Sequence, residues 1–333
     1  MAPSMTYAAD IDSIKDAQKR IAPYAHVTPV LTSSSVDGLA KGRSLHFKCE
    51  VFQKGGSFKF RGACNSIFSL SDEDARHGVV THSSGNHAAA CALAASLRNI
   101  SAHIVVPNGA PECKVAAVRR YGGDVVFCEP TLQAREEAAS LIQKKTGAIM
   151  IPPFNYGPTI SGQGTIALEL LEQVPDLEAI VVPISGGGMI SGIAIAAKAL
   201  KPGIRIIAAE PAGANDAALS KAAGKCIPCT APKTIADGLR ASLGDLTWPV
   251  VRDLVDAVVT VDDKEIVAAM KVVYEQLKVA VEPSGAVGLA AVLSSAFHEN
   301  EEWKDVKNVG VVLCGGNLDL SVLWDALNKS CLT

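Results

Sequence analysis

The chain has 333 residues, 48% of them hydrophobic and 20% charged, with a formal net charge of -3. That length suggests roughly two domains with a sizeable core and excludes a disordered chain. No basic surplus is present to track a phosphate backbone, so nucleic-acid binding is not expected. Apolar runs break well short of the ~18 residues a membrane span needs. The opening segment MAPSMTYAADIDS carries acids, no apolar stretch and no arginine, unlike a secretory or transit signal. Nine singly scattered cysteines, an odd number, fit a reduced, cytoplasmic compartment.

In chain order, helical patterns and apolar runs alternate almost throughout. A helix over Asp10–Tyr24 is followed by a strand over Leu45–Val51 and a helix over Lys59–Ser69. Strands over Gly78–His82, Ala102–Pro107, Asp124–Cys128 and Ala148–Ile151 enclose helices over Asn86–Leu97, Pro111–Tyr121 and Leu132–Thr146. Helices over Gly164–Gln173, Gly188–Leu200 and Asp216–Ala223 alternate with strands over Ala179–Ile184 and Ile204–Glu210. A strand over Asp256–Val261, helices over Asp262–Val279 and Pro283–Ala296, and a strand over Val309–Cys314 complete the pattern. Most strands are unbroken Val/Ile runs, as expected of parallel strands covered on both faces, so the class is α/β. Pro152, Pro153, Gly157 and Pro158 mark one boundary, and Ser71–Gly78 a second. Cys226 and Cys229, with Pro228 between them, form a lone C-x-x-C that reads as a loop coincidence, not zinc or redox chemistry.

Ligands in such folds sit where a strand ends and a loop enters a helix. Three segments have that character. Ser185-Gly186-Gly187-Gly188-Met189 follows a Val-rich strand and is either a phosphate cradle or a tight turn. Thr81-His82-Ser83-Ser84-Gly85-Asn86-His87 either caps the helix that follows or holds a carboxylate on its free N–H groups. In Lys54-Gly55-Gly56-Ser57-Phe58-Lys59-Phe60-Arg61-Gly62, Lys59 is either a solvated residue at a helix start or an amine depressed by burial and ready to form a Schiff base. A lysine amine, a phosphate cradle and a carboxylate-binding helix end are together what pyridoxal phosphate and an amino acid require.

At that point the sequence resembles the fold-type II pyridoxal-phosphate enzymes of the serine/threonine dehydratase and serine racemase group. GSFKFRG, SSGNHA, SGGGM, TIADG, VEPSGA and VLCGGN occur in the family's order, and the resemblance spans about residues 10 to 328. Within the group the chain is most similar to racemases of plant type. The resemblance implies the tryptophan synthase β-like fold, with two open twisted, mostly parallel sheets flanked by helices. It implies a large pyridoxal-phosphate domain from residues 1–75 and 156–333, with a small mobile domain, 76–155, inserted in it. The implied reaction is interconversion of L-serine and D-serine, accompanied by β-elimination of serine to pyruvate and ammonia. The alternative is a catabolic threonine/serine dehydratase without significant racemisation.

Carried over residue by residue, the resemblance makes Lys59 the Schiff-base lysine and base on one face, and Ser84 the acid or base on the other. Phe58, Asn86, Gly186, Gly187, Gly188, Met189, Gly238, Glu282 and Cys314 hold the cofactor, with Cys314 at the pyridine nitrogen, where racemases commonly have serine. A neutral thiol there gives a weaker electron sink than an aspartate and disfavours transamination. Ser83, Ser84, Asn86 and His87 border the substrate carboxylate, with Arg135 near the substrate. Glu210, the Ala214 carbonyl and Asp216 form a divalent site for Mg²⁺, Ca²⁺ or Mn²⁺, since all donors are oxygens. Taken from the sequence alone, those two acids read equally as solvated loop residues. Lys54, Tyr121 and Lys278 are candidate contributors to an activating ATP site at a homodimer interface, or ordinary surface residues.

Overall fold

The computed structural model describes residues 7–319 apart from residues 84 and 111. In chain order the first elements are α1 (Ile11–Ile21), β1 (Val30–Leu31), α2 (Ser34–Leu39), β2 (Ser44–Cys49), α3 (Lys59–Phe68) and α4 (Asp72–Ala75). Then come β3 (Val79–Thr81), α5 (Asn86–Leu97), β4 (Ala102–Pro107), α6 (Glu112–Arg120), β5 (Asp124–Cys128), α7 (Leu132–Thr146) and β6 (Ile149–Met150). They are followed by α8 (Gly157–Gln173), β7 (Ala179–Pro183), α9 (Gly188–Leu200), β8 (Arg205–Pro211), α10 (Asp216–Ala223), α11 (Trp248–Leu254) and β9 (Ala257–Val261). The last are α12 (Asp263–Val272), α13 (Pro283–Leu293), α14 (Ser295–His298) and β10 (Asn308–Leu313).

The strands form two sheets. One has six strands in the order β1-β2-β10-β7-β8-β9, the other four in the order β5-β4-β3-β6. Every described pairing between these strands is parallel except β1 with β2. β10 is threaded between β2 and β7, which brings the last described strand against an early one. All five residues of β7 are buried, as befits a strand with helices on both faces, and this is the reason its sequence is an unbroken Ala-Ile-Val-Val-Pro.

The strands expected from Val/Ile runs are present, with ends shifted by a residue or two. Helix ends moved further. α8 starts at Gly157 and not Gly164, because Pro158 occupies the first turn, where its missing N–H costs nothing. The glycines inside α8, which read as breakers, serve packing: a Cβ on Gly162 would stand 2.6 Å from the Arg61 carbonyl oxygen of α3. The helix expected to run to Val279 ends at Val272 in a π-turn over Val273–Leu277, followed by Lys278 at φ +60°. β1, α2, α4 and α11 carry too little periodicity to have been foreseen.

Candidate active site

Chain segments converge on Lys59, the first residue of α3. The preceding loop is stitched to the end of β10. Phe58 N donates to Cys314 O (3.0 Å), Gly316 N donates to Gly56 O (3.0 Å), and Asn317 Nδ2 donates to Gly55 O (2.6 Å). Lys59 Nζ donates to Pro153 O (2.9 Å) and stands 5.1 Å from the Phe58 ring centroid. Burial of the ammonium pushes Lys59 down to about 8, opposed by the Cys314 and Cys91 thiols. An amine depressed in this way is neutral in useful amount near neutral pH, which a nucleophile or base requires.

Cys314 is buried and donates to Ser284 O (3.4 Å). Burial and the nearby Glu282 push its thiol well up, so it stays neutral. Gly238 lies beside the same turn, its N–H donating to Ser284 Oγ (3.0 Å). Glu282, at the N-terminus of α13, accepts from Asn86 Nδ2 (2.8 Å), and Asn86 Oδ1 accepts from Asn317 Nδ2 (3.0 Å). Burial first, then Asp237, pushes Glu282 up to about 7, while Lys114 pulls the other way. Lys114, on α6, is itself paired with Asp237.

The glycine run lies between β7 and α9, at the carboxyl end of the strand as such sites require. Gly187 has φ +87°, a conformation that favours glycine. A Cβ on Gly186 would stand 2.5 Å from the Phe154 ring, one on Gly187 2.8 Å from Thr247, and one on Gly188 2.8 Å from Phe154. Only glycine fits, and the result is a bare backbone cradle ahead of a helix N-terminus. Met189 follows it, buried in the core. A buried amine, a glycine cradle and a neutral thiol fit pyridoxal phosphate: Lys59 would anchor it and Gly186–Gly188 would take its phosphate.

The remaining expected residues are placed less simply. Ser84 lies outside the described residues. Ser83 Oγ accepts weakly from Gly85 N (3.4 Å) ahead of α5. His87 is buried, with Nε2 on Ile151 O (2.9 Å) and Cys91 Sγ (3.3 Å). Burial, with Lys59 adding repulsion, pushes it down to about 3, so it is neutral and anything it offers an anion comes from its main chain. Arg135, on α7, donates to Thr131 O (3.4 Å).

Glu210 and Asp216 are both buried, at the end of β8 and the start of α10, with Ala214 in the turn between. Glu210 accepts from Ala217 N (2.8 Å) and Ala218 N (2.9 Å), and Asp216 accepts from Leu243 N (2.9 Å). Burial, with Asp216 adding to it, pushes Glu210 up to about 8. Among the described residues no cationic side chain pairs with either acid, and oxygen donors of this kind suit a hard divalent cation. Among the described residues no group of three or more His, Cys, Asp or Glu is placed to hold a metal, so the third donor would be the Ala214 carbonyl. Lys54, Tyr121 and Lys278 share no described contact: Lys54 lies over the Phe60 ring, and Lys278 bonds to Glu275 O. Cys226 and Cys229 are free thiols.

Sequence reasoning missed Pro153, Phe154, Asn155, Thr247, Ser284 and Asn317. Asn317 and Ser284 had a signal, as members of VLCGGN and VEPSGA, and Pro153 was noted only as a boundary.

Residues 21–315 match the family described as "Pyridoxal-phosphate dependent enzyme". The chain is 65% identical to a serine racemase of Arabidopsis thaliana over 324 residues, 97% of this chain and 98% of that one. It superposes on a maize serine racemase with TM-score 0.94 at 60% identity, covering 98% of this chain and 99% of that one. A processed threonine deaminase isoform from Solanum lycopersicum superposes with TM-score 0.89 at 32% identity, covering 99% of this chain and 94% of that one. Among the described residues no helix is long and apolar enough to cross a membrane. The two parallel-rich sheets thus have their counterpart in known enzymes, and the chain belongs to the pyridoxal-phosphate dependent enzyme family, in its serine racemase branch.

Proposed function

We propose that the chain interconverts L-serine and D-serine and also eliminates the β-hydroxyl of serine to give pyruvate and ammonia. The observation that carries this is the depressed Lys59 amine, held beside a glycine cradle and a neutral thiol and not an acid. When bound, pyridoxal phosphate supplies the electron sink that makes the Cα proton of serine acidic. Lys59, neutral in part at neutral pH, takes that proton on one face. Ser84 returns a proton on the other face for inversion. The N-terminus of α5 receives the substrate carboxylate, because its first turn leaves N–H groups without helical partners. Asn86, fixed by Glu282 and Asn317, orients the ring. If the β-hydroxyl departs before reprotonation, hydrolysis gives pyruvate and ammonia. Both outcomes share the first proton abstraction.

The second reading, a dehydratase without significant racemisation, is favoured by the threonine deaminase likeness. One assay separates the two. Wild type and Ser84→Ala are given L-serine with pyridoxal phosphate and Mg²⁺, and D-serine and pyruvate are counted together. Wild type is expected to make both, and the variant to keep pyruvate while losing D-serine by about 100-fold or more, as for removal of a general acid. Pyruvate alone from wild type replaces the racemase with the dehydratase.

Glu210, the Ala214 carbonyl and Asp216 hold a divalent cation in this reading, which neutralises two buried carboxylates. Mg²⁺, Ca²⁺ or Mn²⁺ is expected to raise the melting temperature of wild type and leave that of Asp216→Asn unmoved; equal shifts in both would remove the site. The nucleotide and homodimer readings are supported by the family likeness, and the dimer also by exposed Val27 and Phe52 near each other around His26. The same melting series with ATP, and sedimentation of the chain, test them. Residues 76–155 are proposed as the mobile small domain, with Lys114 reaching from it to Asp237.

A further inference from the structure

The loop from Ala241 to Thr247 belongs to no motif, yet it is tied to three parts of the site. Ser185 Oγ, just before the cradle, donates to Ala241 O (3.0 Å) and accepts from Ala241 N (3.1 Å). Leu243 N donates to Asp216 Oδ2 (2.9 Å). Asn155, on the segment returning from the four-stranded sheet, accepts from Leu246 N (2.9 Å) and donates to Asp245 Oδ1 (2.5 Å). Thr247 closes the loop. It is 0% exposed, and its hydroxyl accepts from Gly244 N (2.9 Å) and donates to Gly186 O (2.7 Å).

We infer that Thr247 is a positioning residue for the cofactor phosphate, acting through the Gly186–Gly187 peptide; this rests on the cradle reading of Gly186–Gly188. In a trans peptide the C=O and the following N–H point in opposite directions. With the Gly186 oxygen held by Thr247, the Gly187 N–H is aimed to the other side, away from the 241–247 loop. Glycine on both sides of that peptide offers no side chain to fix its plane, and left to itself the unit rotates freely. A cradle binds an anion well only if its N–H groups converge before the anion arrives. The Thr247 hydroxyl, itself oriented by Gly244 N, performs that alignment. The loop is in turn pinned by Asn155, Ser185 and Asp216, so Thr247 works from a fixed base and not a loose one.

Pyridoxal, which lacks the phosphate but keeps the aldehyde for Lys59, isolates the effect. The full-length chain, freed of cofactor, is titrated with pyridoxal phosphate and with pyridoxal, reading the absorbance of the bound form. Wild type is expected to prefer pyridoxal phosphate strongly. Thr247→Val is expected to weaken pyridoxal phosphate about tenfold, as for one lost buried hydrogen bond, and to leave pyridoxal unchanged. Thr247→Ser keeps the hydroxyl and should restore the preference. Should the valine variant prove insoluble, Thr247→Ala, which cannot overpack, takes its place. Equal weakening of both ligands, or unchanged pyridoxal phosphate affinity, overturns the inference while the cradle stands. A wild type indifferent to the phosphate overturns the cradle reading and this inference with it.

Discussion

Lys59→Ala is expected to lose the absorbance of bound cofactor and to lower both D-serine and pyruvate formation by about a thousandfold or more, the scale of a missing general base. Both products fall together because both need the same first proton removal. Lys59→Arg keeps a positive charge, supplies no neutral amine at any accessible pH, and is expected to fail equally. The informative readout is pH. Only the neutral amine attacks an aldehyde, and the folded-state value is lowered from 10.5 to about 8. The rate at which wild type, freed of cofactor, takes up pyridoxal phosphate should therefore rise with pH and reach half its maximum near 8, not near 10.5. A second consequence has the same sign. Between about 8 and 10.5 the unfolded chain holds the Lys59 proton and the folded chain does not. Stability therefore rises with pH across that window relative to Lys59→Ala. A midpoint near 10.5 would show an amine that is not desolvated and would remove Lys59 from the role of base.

The sequence reached this amine because its signal is local: a glycine pair, two flanking aromatics and a helix start lie within nine residues. The same holds for the glycine cradle after β7 and for the strands, whose unbroken Val/Ile runs follow from burial on both faces. Glu210 and Asp216 were different. Two acids in a loop look solvated, and only the family likeness singled them out; the structure adds that both are buried without a cation among the described residues. His87 shows a different limit. Its place in SSGNHA puts it at the border of the carboxylate pocket, and the motif could not reveal that Ile151, just past a strand some sixty residues away, pairs with its ring. Thr247 and Asn155 were illegible for a related reason. Their roles lie in hydrogen bonds to main-chain atoms of distant loops, which leave no periodicity and no motif.

The most deeply hidden feature is a buried quartet beneath α3, and it gives the largest expected effect on stability. Arg61 is two residues from Lys59 and 0% exposed. Its guanidinium grips Glu50 through Nε (2.7 Å) and Nη2 (2.8 Å), and Glu169 of α8 through Nη1 (2.6 Å) and Nη2 (2.7 Å). Lys48 adds a bond to Glu169 Oε2 (2.7 Å), and Thr28 Oγ1 donates to Glu50 Oε1 (2.6 Å). Two cations and two carboxylates cancel, and Glu50 and Arg61 together close the loop that carries Lys59. Arg61→Ala leaves two buried carboxylates to one lysine, and the expected loss is about 3–5 kcal/mol in urea unfolding. Arg61→Lys keeps the charge but not the double fork, so an intermediate loss is expected. Glu50→Gln with Arg61→Met removes both partners and should cost less than the two single changes added together. The pH dependence separates this from simple loss of packing. Burial raises Glu169, but the Arg61 hydrogen bonds outweigh it and hold the acid below its usual value. In wild type that contribution is present above pH 4.5 and is lost as pH falls through the depressed value. Without Arg61 the Glu169 carboxyl rises, so Arg61→Ala should be closer to wild type at about pH 5 than at about pH 8. A loss under about 1 kcal/mol, or one independent of pH, would mean the four charges contribute packing alone.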